Sequence, residues 1–173
     1  MPPDSVAALY DAHAPALYRF ILSLCGSEAD TLDLLQDLFV RVVRQRRETL
    51  EDPQAFLFRA ARNLFLDQLR RRAHRRRVLD DYEGEMKSLA SHFPESAVPG
   101  LPGPETALAV ARALACLPEE QRAVVHLKIW ENLTFARIAE ILDIPANTAA
   151  SRYRYAMDRL RRTLTPEIPG HAR

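Results

Sequence analysis

The stretch 56–77, FLFRAARNLFLDQLRRRAHRRR, limits the folds open to this chain more than any other. Its first fourteen residues place Leu57, Ala61, Leu64 and Gln68, flanked by Phe58, Phe65 and Leu69, on one side of a helix at spacings of three and four. That side must face a core. The other side carries Phe56, Arg59, Asn63, Asp67 and Arg70, a stripe of one aromatic ring, two cations, an amide and a carboxylate that can meet phosphates and base edges together. The stretch ends in RRRAHRRR, whose six arginines in eight residues exceed what the single nearby acid, Asp67, can neutralise. Such a helix end faces either solvent, where it complements the negative end of the helix dipole, or a polyanion.

The remaining composition narrows the class. With 173 residues, 47% of them apolar and 27% charged, the chain suits one sizeable globular domain or two small ones. The start, residues 1–13, has no basic leader segment, and no apolar run reaches the eighteen or so residues of a membrane span, so a cytoplasmic protein without membrane insertion is expected. Cys25 and Cys116 stand far apart in apolar helical patterns and are expected to be buried free thiols. His13, His74, His92, His126 and His171 show no metal-ligand spacing. Without a secretory signal, Asn132-Leu133-Thr134 reads as the turn before a helix and not as a glycosylation site. There is no glycine-rich phosphate loop and no nucleophile paired with a base, so neither an enzyme nor a cofactor or metal is expected.

The net charge of +1 conceals segregation: residues 1–40 carry −5, 41–77 carry +8, 78–111 carry −5 and 112–173 carry +3. A protein that merely coats nucleic acid would be basic throughout. This distribution suits a nucleic-acid face together with a separate face for a basic or mixed partner.

Along the chain, residues 5–24 read as a helix with Val6, Leu9, Tyr10, Ala14, Leu17, Tyr18, Ile21 and Leu24 at helical spacing, which Pro15 either kinks or divides. Gly26-Ser27 closes it. Residues 29–46 form the next helix, with Leu32, Leu35, Phe39 and Val43 as the expected buried stripe and Asp33, Gln36, Asp37, Arg41 and Arg44 outside. A polar loop covers residues 46–53, with Asp52 as N-cap and Pro53 as entry to the Phe56 helix. From Val78 the periodicity ends: Asp80, Asp81, Glu83 and Glu85 precede Pro94, Pro99, Pro102 and Pro104, the composition of an extended linker. Helices resume over 105–115, from Glu119 to Ile129, over 133–144 with Thr134 as cap, and from Asn147 onward. The last two, joined by a turn at Asp143-Ile144-Pro145, have the layout of a helix-turn-helix, with Asn147, Thr148, Ser151, Arg152 and Tyr155 leading its second helix. The pattern alone leaves a generic helical hairpin open.

The segment LPEEQRAVVHLKIWENLTFARIAEILDIPANTAASRYRYAMDRLRRTL resembles region four of the extracytoplasmic-function sigma factors of bacterial RNA polymerase. DLLQDLF at 33–39 and FLFRAARNLFLDQLRRR at 56–72 resemble region two of the same family. The order also matches: helical domain, poorly patterned linker, helix-turn-helix. The resemblance implies an all-α chain of two small helical domains, region two over 1–77 and region four over 105–173, joined by a linker over 78–104.

It further implies that the chain binds core polymerase, recognises promoter DNA and directs transcription initiation. Asp33, Leu34, Gln36 and Asp37 would grip the coiled coil of the largest polymerase subunit. The loop 46–53 would hold an unpaired promoter base, and Phe56, Arg59, Asn63, Asp67 and Arg70 would read and back the single-stranded minus-ten element. Asn147, Thr148, Ser151, Arg152 and Tyr155 would face the minus-thirty-five duplex. The linker would thread toward the active-site and RNA-exit channels, and an anti-sigma factor is an expected partner. The chain departs from the family in having Phe56 for a frequent tryptophan, Asn132, Asp143 and Asn147 for frequent glycines, and no cation at Ala150 or Tyr155. The competing reading is a helix-turn-helix regulator that acts without core polymerase. It would leave the Arg59, Asn63, Asp67 stripe and the Asp33 face without a use.

Overall fold

The computed structural model describes residues 3–44, 50–79 and 104–165, and every regular element among them is a helix, as expected. The first half holds α1 (Pro3–Cys25), α2 (Glu28–Arg44) and α3 (Pro53–Leu79); the second holds α4 (Pro104–Ala115), α5 (Glu119–Ile129), α6 (Phe135–Leu142) and α7 (Ala146–Leu164). Part of the expected 46–53 loop and nearly all of the 78–104 linker, including its acidic run, lie outside the described residues.

Local chemistry sets the helix ends. α1 runs through Pro15 without a break and stops at Gly26, whose φ of 70° a residue with a Cβ resists. α2 opens under Ser27, whose Oγ accepts the Asp30 N–H at 3.3 Å, with Glu28 and Asp30 in its first turn and Arg41 and Arg44 in its last. Asp52 caps α3 as expected, its Oδ1 accepting the Ala55 N–H at 3.0 Å. Thr134 caps α6 by accepting the Arg137 N–H at 3.2 Å. The turns before and after α6 pass through Asn132 (φ 50°) and Asp143 (φ 54°), both left-handed. These are two of the positions where the resembled family has glycine, and Asn and Asp tolerate that region best among the other residues. Asn147, the third, lies in the ordinary first turn of α7.

In the first half, Leu17, Phe20, Ile21 and Leu24 of α1 pack against α2 and against Leu57, Phe58, Ala61, Leu64 and Phe65 of α3. The α3 face matches its expected apolar side except at Leu69, which is exposed. On α2 the expected stripe is half wrong. Leu35 and Phe39 are buried, but their companions are Thr31, Leu34, Leu38 and Val42, while Leu32 and Val43 are 57% and 54% exposed. α2 is rotated by about one residue from the expected setting, which buries a hydroxyl. Thr31 satisfies that hydroxyl by donating to the Ser27 carbonyl at 2.7 Å. In the second half, α7 packs on α4, α5 and α6, burying Ala149, Ala156 and Leu160.

The two halves also pack on each other, α1 against α5 and α3 against α6. One apolar cluster runs from Leu17 and Phe20 to Val124, Leu127 and Ile138, and Leu22 of α1 belongs to a second one with Leu114, Leu117, Val125 and Leu160. Phe20 and Leu22 are absent from the expected α1 stripe and buried nonetheless, because α1 is covered on a second side by α5.

His126 of α5 lies fully inside this seam, its ring 5.3 Å from Phe20 and stacked on Trp130 at 5.2 Å, with Nε2 3.7 Å from Glu131 Oε1. Burial holds the imidazole below the ordinary histidine value, with Arg19 adding to that and Glu131 opposing it. The folded chain therefore binds fewer protons here than the unfolded chain, whose histidine titrates near 6.5. Stability is expected to fall as pH drops through about 6.5 toward the lower folded value. Thermal unfolding at pH 7.5 and 5.5 checks this: His126→Phe should show a smaller drop than the native chain.

Cys25 is a buried thiol as expected, pushed up to about 12 by desolvation, and it donates to the Ile21 carbonyl at 3.0 Å. Cys116 is exposed instead, because it falls in the turn between α4 and α5 and not in a helix interior.

Candidate nucleic-acid interface

Three surfaces carry the residues singled out from the sequence. The first is α2. Asp33, Gln36 and Asp37 are exposed on it, but Leu34 is 4% exposed and belongs to the core. Leu34 therefore fixes the helix in place, with almost none of its surface open to a partner. What the sequence reading missed is apolar: Tyr10, Leu32, Leu35, Phe39, Val40 and Val43, with Gln36 and Arg44, line a groove of about 560 Å³ between α1 and α2. The exposed Leu32, Val40 and Val43 lie beside the acids on the same helix. The signal was present as a second apolar stripe on α2, one position out of step with the first.

The second surface is the outer side of α3. Phe56 is half-buried against the core, and Asn63 is exposed. Asp67 Oδ1 accepts from Arg70 Nη1 at 3.0 Å, so these two form an exposed pair at the end of the stripe. A hollow of about 230 Å³ opens between α2 and α3, with Leu38, Val42 and Leu64 in its floor and Arg41, Phe56, Arg59 and Asn63 around it. An apolar floor with cations and an amide at the rim can take a flat ring and hold its attached phosphate. Further along, Arg72 Nη2 donates to Asp30 Oδ1 at 2.6 Å, and Gln68 Nε2 reaches the same oxygen at 3.4 Å. The arginine-rich end is thus partly neutralised from α2, which the count of nearby acids in the sequence did not foresee. Arg71 remains exposed.

Arg59 has a different setting from the one expected. Its Nε donates to the Ile141 carbonyl at 3.4 Å and its Nη2 to the Glu140 carbonyl, so its guanidinium sits at the C-terminal end of α6. A cation there meets carbonyls with no intrahelical partner and the negative end of the dipole.

The third surface is α7, the second helix of the α6–α7 helix-turn-helix. Asn147, Ser151, Arg154 and Asp158 follow one another at spacings of four, three and four, on the side away from buried Ala149, Ala156 and Leu160. Tyr155, 58% exposed, adjoins them with the Arg154 guanidinium 5.3 Å from its ring centre. The Ser151 hydroxyl donates to the Thr148 carbonyl at 3.0 Å, which fixes its rotamer. Arg152 is not on this side. It turns toward α5, where Nη2 pairs with Glu120 at 2.6 Å with only 22% of its side chain exposed. It braces α7 against α5. Arg154, which the sequence reading passed over, occupies the outward position.

These features define a class: an all-helical chain with an exposed basic and aromatic stripe in one half and a helix-turn-helix in the other. Comparison with known families specifies it. Residues 9–75 match the Sigma-70 region 2 model and residues 113–162 the Sigma-70, region 4 model. The ECF RNA polymerase sigma factor SigL of Mycobacterium tuberculosis is 35% identical over 161 residues, 91% of this chain and 87% of that protein. SigM of the same organism is 31% identical over 159 residues, 90% of this chain and 75% of its own length. The sigma factor RpoE of Bartonella quintana, solved with the anti-sigma factor NepR, superposes with a TM-score of 0.70 at 25% identity, over 88% of this chain and 92% of that one. The chain belongs to the extracytoplasmic-function sigma factors of RNA polymerase.

Proposed function

We propose that this sigma factor divides its work among the three surfaces. As a member of the family it binds core polymerase, recognises promoter DNA and directs transcription initiation. The exposed α2 face, with Asp33, Gln36 and Asp37 beside the Leu32, Val40 and Val43 groove, takes the polymerase, the apolar part supplying affinity and the acids register. Phe56, Arg59 and Asn63, with the hollow beneath them and the Asp67–Arg70 pair behind, take the unpaired minus-ten strand. Stacking and phosphate contacts there offset the few kcal/mol needed to unstack a base. Asn147, Thr148, Ser151, Arg154 and Tyr155 take the minus-thirty-five duplex in its major groove. An anti-sigma factor is a further partner, supported by the NepR-bound relative. The chain itself performs no catalysis and acts where the polymerase is, in the cytoplasm.

The observation that carries this reading is the outward face of α7, aligned and, among the described residues, without ion pairs to the other half, in a chain that also presents the α3 stripe. The test is run-off transcription from a library of promoters with purified core polymerase. The expected result is defined transcripts only when both core and this protein are present; a shift of duplex DNA by the protein alone, with no transcripts, would indicate a regulator. On a promoter recovered this way, Arg154→Ala should weaken closed-complex formation by roughly 1–3 kcal/mol and lower the salt dependence by about one phosphate or base contact. Arg152→Ala should instead lower thermal stability and leave the salt slope unchanged. Equal salt slopes in the two variants would overturn the division between an outward Arg154 and a bracing Arg152.

A further inference from the structure

Four of the nine large apolar side chains that stand exposed among the described residues, Tyr10, Leu32, Val40 and Val43, gather over the groove between α1 and α2. Apolar groups collected at one place mark a surface made to be covered. The exposed side of α2 says what covers it, in two rows. Leu32, Gln36, Val40 and Val43 follow one another at spacings of four, four and three, and Asp33, Asp37, Arg41 and Arg44 repeat those spacings one position on. All of them are exposed. The first row is apolar but for Gln36. The second changes sign halfway, with two acids toward the start of the helix and two bases toward its end. Among the described residues no ion pair involves any of these four charges, although Asp37 and Arg41 stand four positions apart in one row.

A second copy of the helix laid antiparallel, with a two-fold axis near the level of Leu38, meets both rows with their complements. Such an axis keeps each row beside its own kind and reverses its direction. Asp33 then faces Arg44 of the second copy, and Asp37 faces Arg41 of the second copy. The symmetry repeats both pairs, so every charge of the row gains an opposite one. On the apolar side Leu32 meets Val43 of the second copy. A parallel arrangement would instead bring acids level with acids and bases level with bases. α2 has 17 residues and is about 25 Å long at 1.5 Å per residue. A contact between two such helices belongs with the smaller interfaces, below about 1,200 Å² in total, the size of transient pairs.

We propose that the free protein pairs with a second copy of itself through this α2 face, as an antiparallel isologous dimer that covers the polymerase-binding surface until core polymerase displaces it. The dimer rests on the geometry of α2, and its displacement rests on the assignment of that face to polymerase. Apolar contact supplies the attraction, and the four charges select the antiparallel register. Mass action then sets the supply of competent chains. Once dimer predominates, free monomer grows only as the square root of total protein, so the dimer buffers what is offered to polymerase.

Sedimentation velocity of the whole chain between about 1 and 200 µM, the range of a weak pair, follows the mass. The native protein should pass from monomer to dimer and go no further, since an isologous contact closes on itself. Asp33→Arg with Asp37→Arg leaves the row with cations only, and Arg41→Glu with Arg44→Glu leaves it with acids only. Each of these proteins should remain monomeric, its self-dissociation constant raised by at least about tenfold. An equimolar mixture of the two should recover a heterodimer, because every cation of one then faces an acid of the other. That recovery separates a lost contact from a lost fold. Displacement is followed with native protein carrying donor or acceptor dyes at the exposed Cys116: energy transfer between copies should vanish as core polymerase binds. A native chain that is monomeric at every concentration, or charge-swapped proteins that do not combine, would overturn the dimer and leave the groove to polymerase alone. Energy transfer that persists in core-bound protein would overturn the masking of the polymerase surface. If the dimer forms as described but Asp37→Arg keeps native affinity for core, the assignment of α2 to polymerase fails and the dimer stands.

Discussion

Phe20→Ala should lower the stability of the whole chain by about 3–5 kcal/mol, the range for truncating a buried phenylalanine. The ring has no exposed surface and meets Phe58 at 5.1 Å and His126 at 5.3 Å, each edge-on, so its loss opens a cavity on both sides of the seam. Urea unfolding measures the loss. The informative comparison is Leu38→Ala, equally buried but on α2, which packs mainly on α1 and α3, and this should cost about 2–5 kcal/mol. Phe20→Ala should additionally increase the radius of gyration, because the cluster joining α1 to α5 is weakened. If both variants lose stability but neither expands, the shared core is not what holds the halves together.

Asp37→Arg and Leu32→Asp should each weaken the association with core polymerase by on the order of a few kcal/mol, the first by placing a cation where an acid meets the partner, the second by setting a charge in the apolar groove. Both residues are exposed, so circular dichroism and the unfolding midpoint should change little. Interferometry with immobilised core gives the affinities. Leu34→Ala is the counterpart: it should lower stability through lost core packing while leaving the affinity of the folded protein near native. Unchanged core affinity in both surface variants would remove α2 from the polymerase contact.

How far the sequence could be read depended on whether the signal was local. α3 was legible because its apolar and polar sides differ sharply. α2 was not, since Leu32, Leu35, Phe39 and Val43 and the set Thr31, Leu34, Leu38 and Val42 both follow helical spacing. Period alone cannot tell which of two adjacent stripes faces inward; only the shape of α1 and α3 decides. Arg152 and Arg154 present the same difficulty in small. Two residues apart, they point about 200° from each other around the helix, so naming the helix is not enough to name the cation that leaves it. The seam was out of reach altogether. Arg62 and Glu119 are 57 positions apart, and Arg59 and Ile141 are 82 apart, with nothing in either neighbourhood that requires the other. The caps at Asp52 and Thr134, by contrast, are written within three residues of the groups they satisfy.

The double burial of α1 has a consequence for the chain as it is made. α1 leaves the ribosome ahead of α2 to α7, and its α2- and α3-facing side can be covered once Phe65 has emerged. Leu22 must wait for partners that begin at Ala111 and end at Leu160. At about 5–20 residues per second, the roughly 90 residues between Leu22 and Ala111 take on the order of 5–20 s to synthesise. Through that interval a nascent chain presents Leu22 with its covering not yet made. Ribosome-bound fragments ending before Ala111 should therefore be captured by hydrophobic-surface-binding chaperones more readily than fragments extended past Leu160.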